Sequence, residues 1–146
     1  MTAPRAPIDK LSDFPGSSKW NHDIVEYIDR TGSHVRAKGR TADASALTLF
    51  EKELKDESLY FVTAVVLGKK DDSSDRATYI RRVVVYRDGG VATIQGAVDA
   101  ELTIESDASW DADFNVSSNK VSLDVTGKAG TDIDWLAHIN WFEIKN

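Results

Sequence analysis

The chain has 146 residues, a formal net charge of −6 and no cysteine, which suits one domain with a single core. The lack of cysteine excludes disulfides, thiolate metal sites and a cysteine nucleophile. The acidic balance argues against binding to nucleic acid or to an anionic membrane surface, since the longest basic runs are pairs. The longest strongly apolar run, Phe61 to Leu67, has seven residues, far fewer than the about 20 that cross a bilayer as a helix.

The first part of the chain is rich in residues that interrupt regular structure. Its prolines precede a Gly-Ser-Ser run at 16–18, and they are Pro4, Pro7 and Pro15. This composition predicts an extended arm over residues 1–32, which can become ordered on a neighbouring subunit. Residues 20–30 are ambiguous, because Trp20, Ile24 and Ile28 repeat at a helical spacing while the same stretch also suits a strand. The pattern slightly favours the strand.

From residue 33 onward the sequence is typical of β-structure. His34 to Arg40 predicts a polar strand, and the apolar residues between Ala46 and Leu54 predict a second, although residues 50–54 also suit a helical turn. The strongest strand is Ser58 to Leu67, which is apolar at both odd and even positions. We therefore expect this strand to be covered on both sides.

The second half of the chain continues the pattern. Ala77 to Arg87 predicts a strand that ends in a hairpin turn at residues 88–90, because Asp-Gly-Gly tolerates a positive φ. Residues 98–105 alternate between acids and an apolar face of Val98, Ala100, Leu102 and Ile104, as a strand with one wet side does. Residues 111–116 and 121–126 also alternate. The last strand runs from about residue 133 to 144, with one face made of Ile133, Trp135, Ala137, Ile139 and Trp141.

These segments amount to about eight short strands with a turn signal every ten residues or so. No convincing helix interrupts them, which argues against βαβ units. The sequence predicts an all-β fold, an antiparallel β-sandwich or jelly-roll-like domain over residues 33–146, preceded by the extended N-terminal arm.

No catalytic or metal-binding pattern emerges. His22, His34 and His138 have no metal-ligand spacing, and His138 is expected on the face opposite Trp135. Residues 111, 113 and 115 match the first ligand positions of a calcium loop, but Val116 and Ser122 replace its required glycine and glutamate. The acids there are better explained as the solvent face of a strand. We therefore predict no catalytic residue, no cofactor and no metal.

The aromatic and basic residues are expected to have packing roles. Trp135 and Trp141 share a strand face with apolar neighbours, which favours core or subunit-interface packing over sugar stacking. Arg81 and Arg82 are consecutive and should project to opposite faces of their strand, where they can pair with acids of a neighbouring strand.

Residues 41–144 resemble a β-sandwich module of tailed-bacteriophage virion proteins of the fibre or decoration type. The segments that carry the resemblance, in order, are Thr-Ala-Asp-Ala at 41–44, the apolar strand 56–66, the strand 77–87 closing on Asp-Gly-Gly, Asp-Ala-Ser-Trp-Asp at 107–111 and Val-Thr-Gly-Lys-Ala-Gly-Thr at 125–131 leading to Trp135. The first 40 residues do not fit this module, and no long fibre shaft precedes it. The resemblance implies a virion component, with a trimer favoured and no catalytic residues to carry over.

The expected function is that of a non-enzymatic structural protein made in the host bacterial cytoplasm and located in the virion. It would be a head decoration (cement) protein or a short head, neck or tail appendage, with the major capsid or tail proteins among its partners. The interface candidates are Pro4, Pro7, Pro15, Trp20, Tyr60, Val62, Trp135 and Trp141. The alternative is a receptor- or carbohydrate-binding knob of the same fold, in which loops 69–76 and 106–111 make contact. An enzyme such as a polysaccharide depolymerase is disfavoured.

Overall fold

The computed structural model describes residues 32–72 and 74–145. The chain divides into two units, Met1–Ser33 and His34–Asn146, and the second contains nearly all of the described residues. Nine strands make up the described part: β1 (Gly32–Thr41), β2 (Ala46–Glu53), β3 (Ser58–Lys70), β4 (Arg76–Arg87), β5 (Thr93–Ile94), β6 (Asp99–Glu105), β7 (Asp111–Ser117), β8 (Lys120–Thr126) and β9 (Ile133–Lys145).

The strands form two antiparallel sheets. The larger sheet has six strands in the order β1-β9-β3-β4, and β5 and β6 both pair with the far edge of β4. The smaller sheet has three strands in the order β2-β8-β7. The prediction of an all-β fold with two antiparallel sheets is confirmed. No helix of the described part is long and apolar enough to cross a membrane.

The core lies between the two sheets and is built by alternation along each strand. In β9 the odd positions from Ile133 to Ile139 are buried, while Asp134, His138 and Asn140 on the opposite side are exposed. In β8 the buried positions are Val121, Leu123 and Val125. These faces match the predicted ones, because a strand turns successive side chains to opposite sides.

Trp135 is buried in this core and has a polar contact for its ring nitrogen. Its Nε1 donates a hydrogen bond to Oγ1 of Thr41 at 3.0 Å, and its ring meets the edge of Trp110 with centroids 5.8 Å apart. Gly68 of β3 lies directly against the Trp135 ring, where a Cβ would stand 2.6 Å from the nearest ring carbon. A glycine is therefore required at position 68 for this indole to fit.

Several predicted boundaries need adjustment. Residues 50–53 continue β2 as a strand, and the helical turn considered for this stretch is not present; the pairing with β8 shifts register between Thr48 and Phe50. The turn after Arg87 has a positive φ of 73° at Gly89, as the sequence predicts, but it leads to the two-residue strand β5, which the sequence did not indicate. The ambiguous stretch 20–30 and the predicted arm 1–32 lie outside the described residues, apart from Gly32 at the start of β1.

Candidate interaction surface

Strand β3 carries two apolar faces, and the structure covers one of them. Tyr60, Val62 and Val66 at even positions are completely buried between the sheets. Leu59 and Leu67 at odd positions are 42% and 47% exposed. The prediction that β3 is covered on both sides is therefore wrong for the described chain, because the smaller sheet packs on one side only of the larger sheet.

The neighbouring strand β9 extends the exposed side of β3. Phe142 lies directly opposite Phe61 in the pairing of β9 with β3, and Ile144 lies opposite Leu59. The rings of Phe61 and Phe142 are tilted against each other with centroids 6.0 Å apart. Cross-strand aromatic pairs of this kind stabilise a sheet locally, but both rings remain exposed to solvent, at 36% and 58%.

Strand β6 also turns apolar side chains outward. Leu102 pairs with Ile80 of β4 and Ile104 pairs with Thr78, so these residues point away from the smaller sheet. Ile104 is 60% exposed. The sequence predicted the apolar side of residues 98–105 to be the buried side, and this is wrong for Ile104. The physical reason is that β6 pairs at the edge of the larger sheet, where no second layer lies over it in the described part.

We define the outer face as the outward-facing residues of β9, β3, β4 and β6. Seven large apolar side chains on it are substantially exposed: Leu59, Phe61, Val65, Leu67, Ile104, Phe142 and Ile144. With roughly 200 Å² of surface for each such side chain, their exposed fractions amount to about 700 Å². This sum covers two areas, which a polar row separates. The largest contiguous apolar patch on a typical soluble monomer covers about 300–600 Å² and is often functional.

A polar row crosses the middle of the outer face. Thr63 of β3 lies between Asn140 of β9 and Arg82 of β4. Nη2 of Arg82 is 2.6 Å from Oδ2 of Asp99, and its Nη1 is 3.4 Å from Oε1 of Glu101. These acids raise the pKa of the Arg82 guanidinium, chiefly through the hydrogen bond to Asp99. The row therefore separates two apolar areas, and its guanidinium is paired with acids of β6.

Two hollows adjoin the outer face. An apolar hollow of about 200 Å³ is lined by Leu59, Tyr60, Phe61, Val84, Phe142, Glu143 and Ile144. A second, polar hollow of about 380 Å³ lies where β3 begins and β4 ends, lined by Glu57, Ser58, Leu59, Tyr86, Asp88 and Gln95. Glu57 adopts a positive φ of 57° beside this hollow.

Arg81 is a buried charge that joins the two sheets. Its Nε donates to the carbonyl oxygen of Ala112 in the smaller sheet at 2.7 Å, and its Nη1 donates to that of Leu102 in the larger sheet at 2.7 Å. The guanidinium also lies 4.9 Å from the ring centroid of Tyr79. The hydroxyl of Tyr79 donates to Glu105 at 2.6 Å, and burial, followed by this hydrogen bond, raises its pKa far above the ordinary value. These contacts give Arg81 a structural role.

The two loops considered for ligand contact are held by their own hydrogen bonds. Oδ1 of Asp72 accepts bonds from the hydroxyl and the backbone N of Ser74 at 2.7 and 2.9 Å, and these bonds, that of the hydroxyl first, lower the pKa of Asp72 to about 2. Asp107 accepts the equivalent bonds from Ser109, and its Oδ2 is 2.8 Å from Nζ of Lys128. The lysine and Ser109 together hold the pKa of Asp107 well below its usual range. The carboxylates of Asp72 and Asp107 therefore stabilise the conformations of their own loops.

The remaining acids form pairs or face solvent. Arg40 binds Asp134 at 3.0 Å, is hydrogen-bonded to Asp71 and lies 3.4 Å from Asp132. In β7, Asp111 and Asn115 are exposed and Asp113 is half-buried, as predicted for a solvent-facing side. Burial raises the pKa of Asp113. Among residues 32–72 and 74–145, the structure brings together no group of three or more histidines or acids suited to a metal ion.

The structure divides the predicted interface residues into three sets. Tyr60, Val62 and Trp135 are buried in the core between the sheets, so their side chains are not available to a partner. Trp141 is half-buried, with Nζ of Lys52 4.9 Å from its ring centroid and Phe50 at 5.5 Å. The remaining candidates lie outside the described residues, and they are Pro4, Pro7, Pro15 and Trp20.

The outer face was not among the predicted interface residues, although the sequence contains a signal for it. The alternation of Leu59, Phe61, Val65 and Leu67 is visible in the sequence, and so is the pairing potential of Phe142. What the sequence lacked was the strand order that places β9 beside β3 and turns these residues to the same side. The even positions were chosen as interface candidates, and the structure uses them for the core.

Comparison with known proteins yields a fold likeness without a family. No protein-family model matches the chain, and no curated protein matches it. One similar solved structure is the tailspike protein of Acinetobacter baumannii phage AM24, with a TM-score of 0.46 and 9% identity, covering 80% of this chain and 27% of that chain. Another is a tailspike protein of Acinetobacter baumannii bacteriophage Fri1, a capsular polysaccharide depolymerase, with a TM-score of 0.42 and 13% identity, covering 75% of this chain and 18% of that one.

Both likenesses have TM-scores below 0.5, so they carry no argument about function. The chain spans 27% and 18% of the lengths of the two tailspikes. The activity printed for the Fri1 protein is therefore a statement about that protein alone.

Proposed function

We propose that this chain is a non-enzymatic structural subunit of a tailed-phage virion, which acts by packing against other protein subunits. The observation that carries the packing role is the outer face, with about 700 Å² of exposed large apolar side chains on a rigid sheet. The ordered sequence segments that resemble the phage module support the virion as the location. The chain would serve as a head decoration protein or as a short head, neck or tail appendage, assembled with copies of itself, a trimer being favoured.

The virion location can be tested on purified particles of the source phage. An antibody raised against the purified chain should decorate intact particles at a regular position in immunogold electron microscopy, and free chain added in excess should abolish the labelling. Peptides of the chain should also appear in mass spectra of particles purified by density gradient. Particles that contain no such peptides would overturn the proposal.

A second candidate function, a receptor- or carbohydrate-binding knob, is favoured by the polar hollow beside the outer face. Glu57, Asp88 and Gln95 offer hydrogen-bonding groups there, and Tyr86 offers an aromatic ring, which together are suited to a sugar. A glycan array with the purified chain tests this candidate. Binding that is lost in Gln95→Ala but kept in Val91→Ala would support it. An array without signal would argue against sugar binding and favour the structural role.

A further inference from the structure

We propose that the outer face is the surface through which this chain binds a second copy of itself. The inference rests on the proposed packing role and adds the surface, the partner and a two-fold arrangement, which gives pairs of chains in place of the trimer favoured above. It is carried by three properties of the outer face: its area, its nearly complete lack of unpaired charge, and the symmetry of its polar and apolar parts.

The area of the outer face matches that of a stable protein interface. Its seven exposed apolar side chains present about 700 Å², and a standard interface buries about 800 Å² on each partner. The aromatic pair Phe61 and Phe142 lies on one side of the polar row. Large exposed aromatics of this kind are typical of residues that dominate binding energy.

The charge distribution favours a copy of this chain over a charged partner. The chain carries a formal net charge of −6, so two copies repel each other through most of their surfaces. Along β9, β3 and β4, the outward positions between the rows of Leu59 and Leu67 include one permanently charged side chain, Arg82. Asp99 and Glu101 pair with Arg82 and leave this cluster with one net negative charge, so two copies repel each other less here than the net charge of −6 on the whole chain implies.

The layout of the outer face is also self-complementary. The row of Asn140, Thr63 and Arg82 separates an aromatic-rich area around Phe61 from an aliphatic area around Leu67. When two copies meet face to face with the polar rows in contact, the aromatic area of one covers the aliphatic area of the other. Amide and hydroxyl groups both donate and accept hydrogen bonds, so Asn140 and Thr63 can pair with their own counterparts across a symmetry axis. The same axis sets the Arg82 side chains of the two copies opposite each other, each already paired with Asp99 and Glu101 of its own chain.

The first test measures the mass of the full-length chain in solution. Sedimentation velocity from about 1 to about 100 µM should show twice the single-chain mass. Phe142→Glu and Leu67→Glu place a carboxylate in the two apolar areas, and each should raise the dissociation constant about 100-fold. The matched control is Val91→Glu, which changes an equally apolar, 65% exposed residue in the loop after β4; it should associate like the unmodified chain.

A second measurement does not depend on the stability of charged variants. The chain has no cysteine, so Thr63→Cys introduces a single thiol at the centre of the outer face. Under mild oxidation this variant should form disulfide-linked pairs of chains within minutes, at least tenfold faster than Val91→Cys. Near-ultraviolet circular dichroism identifies any variant that has lost its fold.

The outcomes separate this inference from the proposed function. A monomer at all concentrations, or an assembly that survives both face variants and shows no preferred Thr63→Cys pairing, would overturn self-association through the outer face. A monomer in which the thiol of Thr63→Cys reacts more slowly with a soluble maleimide than that of Val91→Cys would show instead that the face is covered from within the same chain. Neither result affects the particle-labelling test, which addresses the virion location by itself.

Discussion

Replacing the buried Arg81 with alanine provides a sharp test of how the two sheets are held together. The guanidinium donates one 2.7 Å hydrogen bond to each sheet, at Ala112 and Leu102. The register of β4 with β6 shifts between Ile80 and Arg82, so Arg81 supplies the contact where the regular ladder is interrupted. Removal of its side chain leaves buried carbonyl oxygens without a donor.

The magnitude follows from these two bonds. A hydrogen bond from a charged donor contributes about 1.5–3 kcal/mol, so Arg81→Ala should lower the free energy of unfolding by about 3–5 kcal/mol. Arg81→Lys should lose about 1–3 kcal/mol, because a single ammonium group cannot reproduce the fork of the guanidinium. The matched control is Arg82→Ala, which removes the same side chain one position along, where it makes exposed ion pairs worth up to about 1 kcal/mol.

Urea unfolding followed by tryptophan fluorescence is a suitable assay, since Trp110 and Trp135 are both buried in the core. The variants should be compared at a protein concentration low enough for the chain to be monomeric, because Arg82 lies on the outer face and its loss would change self-association, which adds to the apparent stability. A free energy of unfolding for Arg81→Ala equal to that of Arg82→Ala would refute the assignment of Arg81 as the link between the sheets.

Two further predictions concern packing and pH. Gly68→Ala should cost about 1–3 kcal/mol of stability in thermal unfolding, because the added methyl group would overlap the Trp135 ring. The control is Gly90→Ala, where an added Cβ would have no atom within 4 Å, and its stability should stay near that of the unmodified chain. Equal losses of stability in the two variants would contradict the packing argument. The depressed pKa of Asp107 beside Lys128 means that its contribution to stability is present above the ordinary carboxyl pKa and is lost as the pH falls through the lower, folded value. In Asp107→Asn the melting temperature should therefore decline less between about pH 4 and pH 2 than in the unmodified chain, and an unchanged decline would contradict it.

The β-strands and much of the core could be predicted from the sequence because alternation is a local property. The buried positions of β9, from Ile133 to Ile139, follow directly from the period of two along a strand. The same reasoning assigned His138 to the opposite side and separated Arg81 from Arg82 by face. The two-residue strand β5 was missed, since two residues are too few to show a period.

Which of two apolar faces is covered could not be predicted in this way. Strand β3 is apolar on both sides, so its own sequence does not distinguish Tyr60, which is buried, from Phe61, which is exposed. The choice depends on the position of the smaller sheet, which packs on one side of the larger one. For Ile104, alternation indicated the dry side of a strand with one wet side, and the strand order placed this residue outside.

The sequence by itself determined the class of fold, the strand alternation and the buried face of β9, because each depends on residues close together in the chain. The tertiary structure alone decided that Phe61, Phe142 and Ile104 share one exposed side, and that Arg81 spans both sheets. Those arrangements depend on pairing between strands that are distant in sequence, such as β3 with β9. The candidate interaction surface therefore became visible only once the strand order was known.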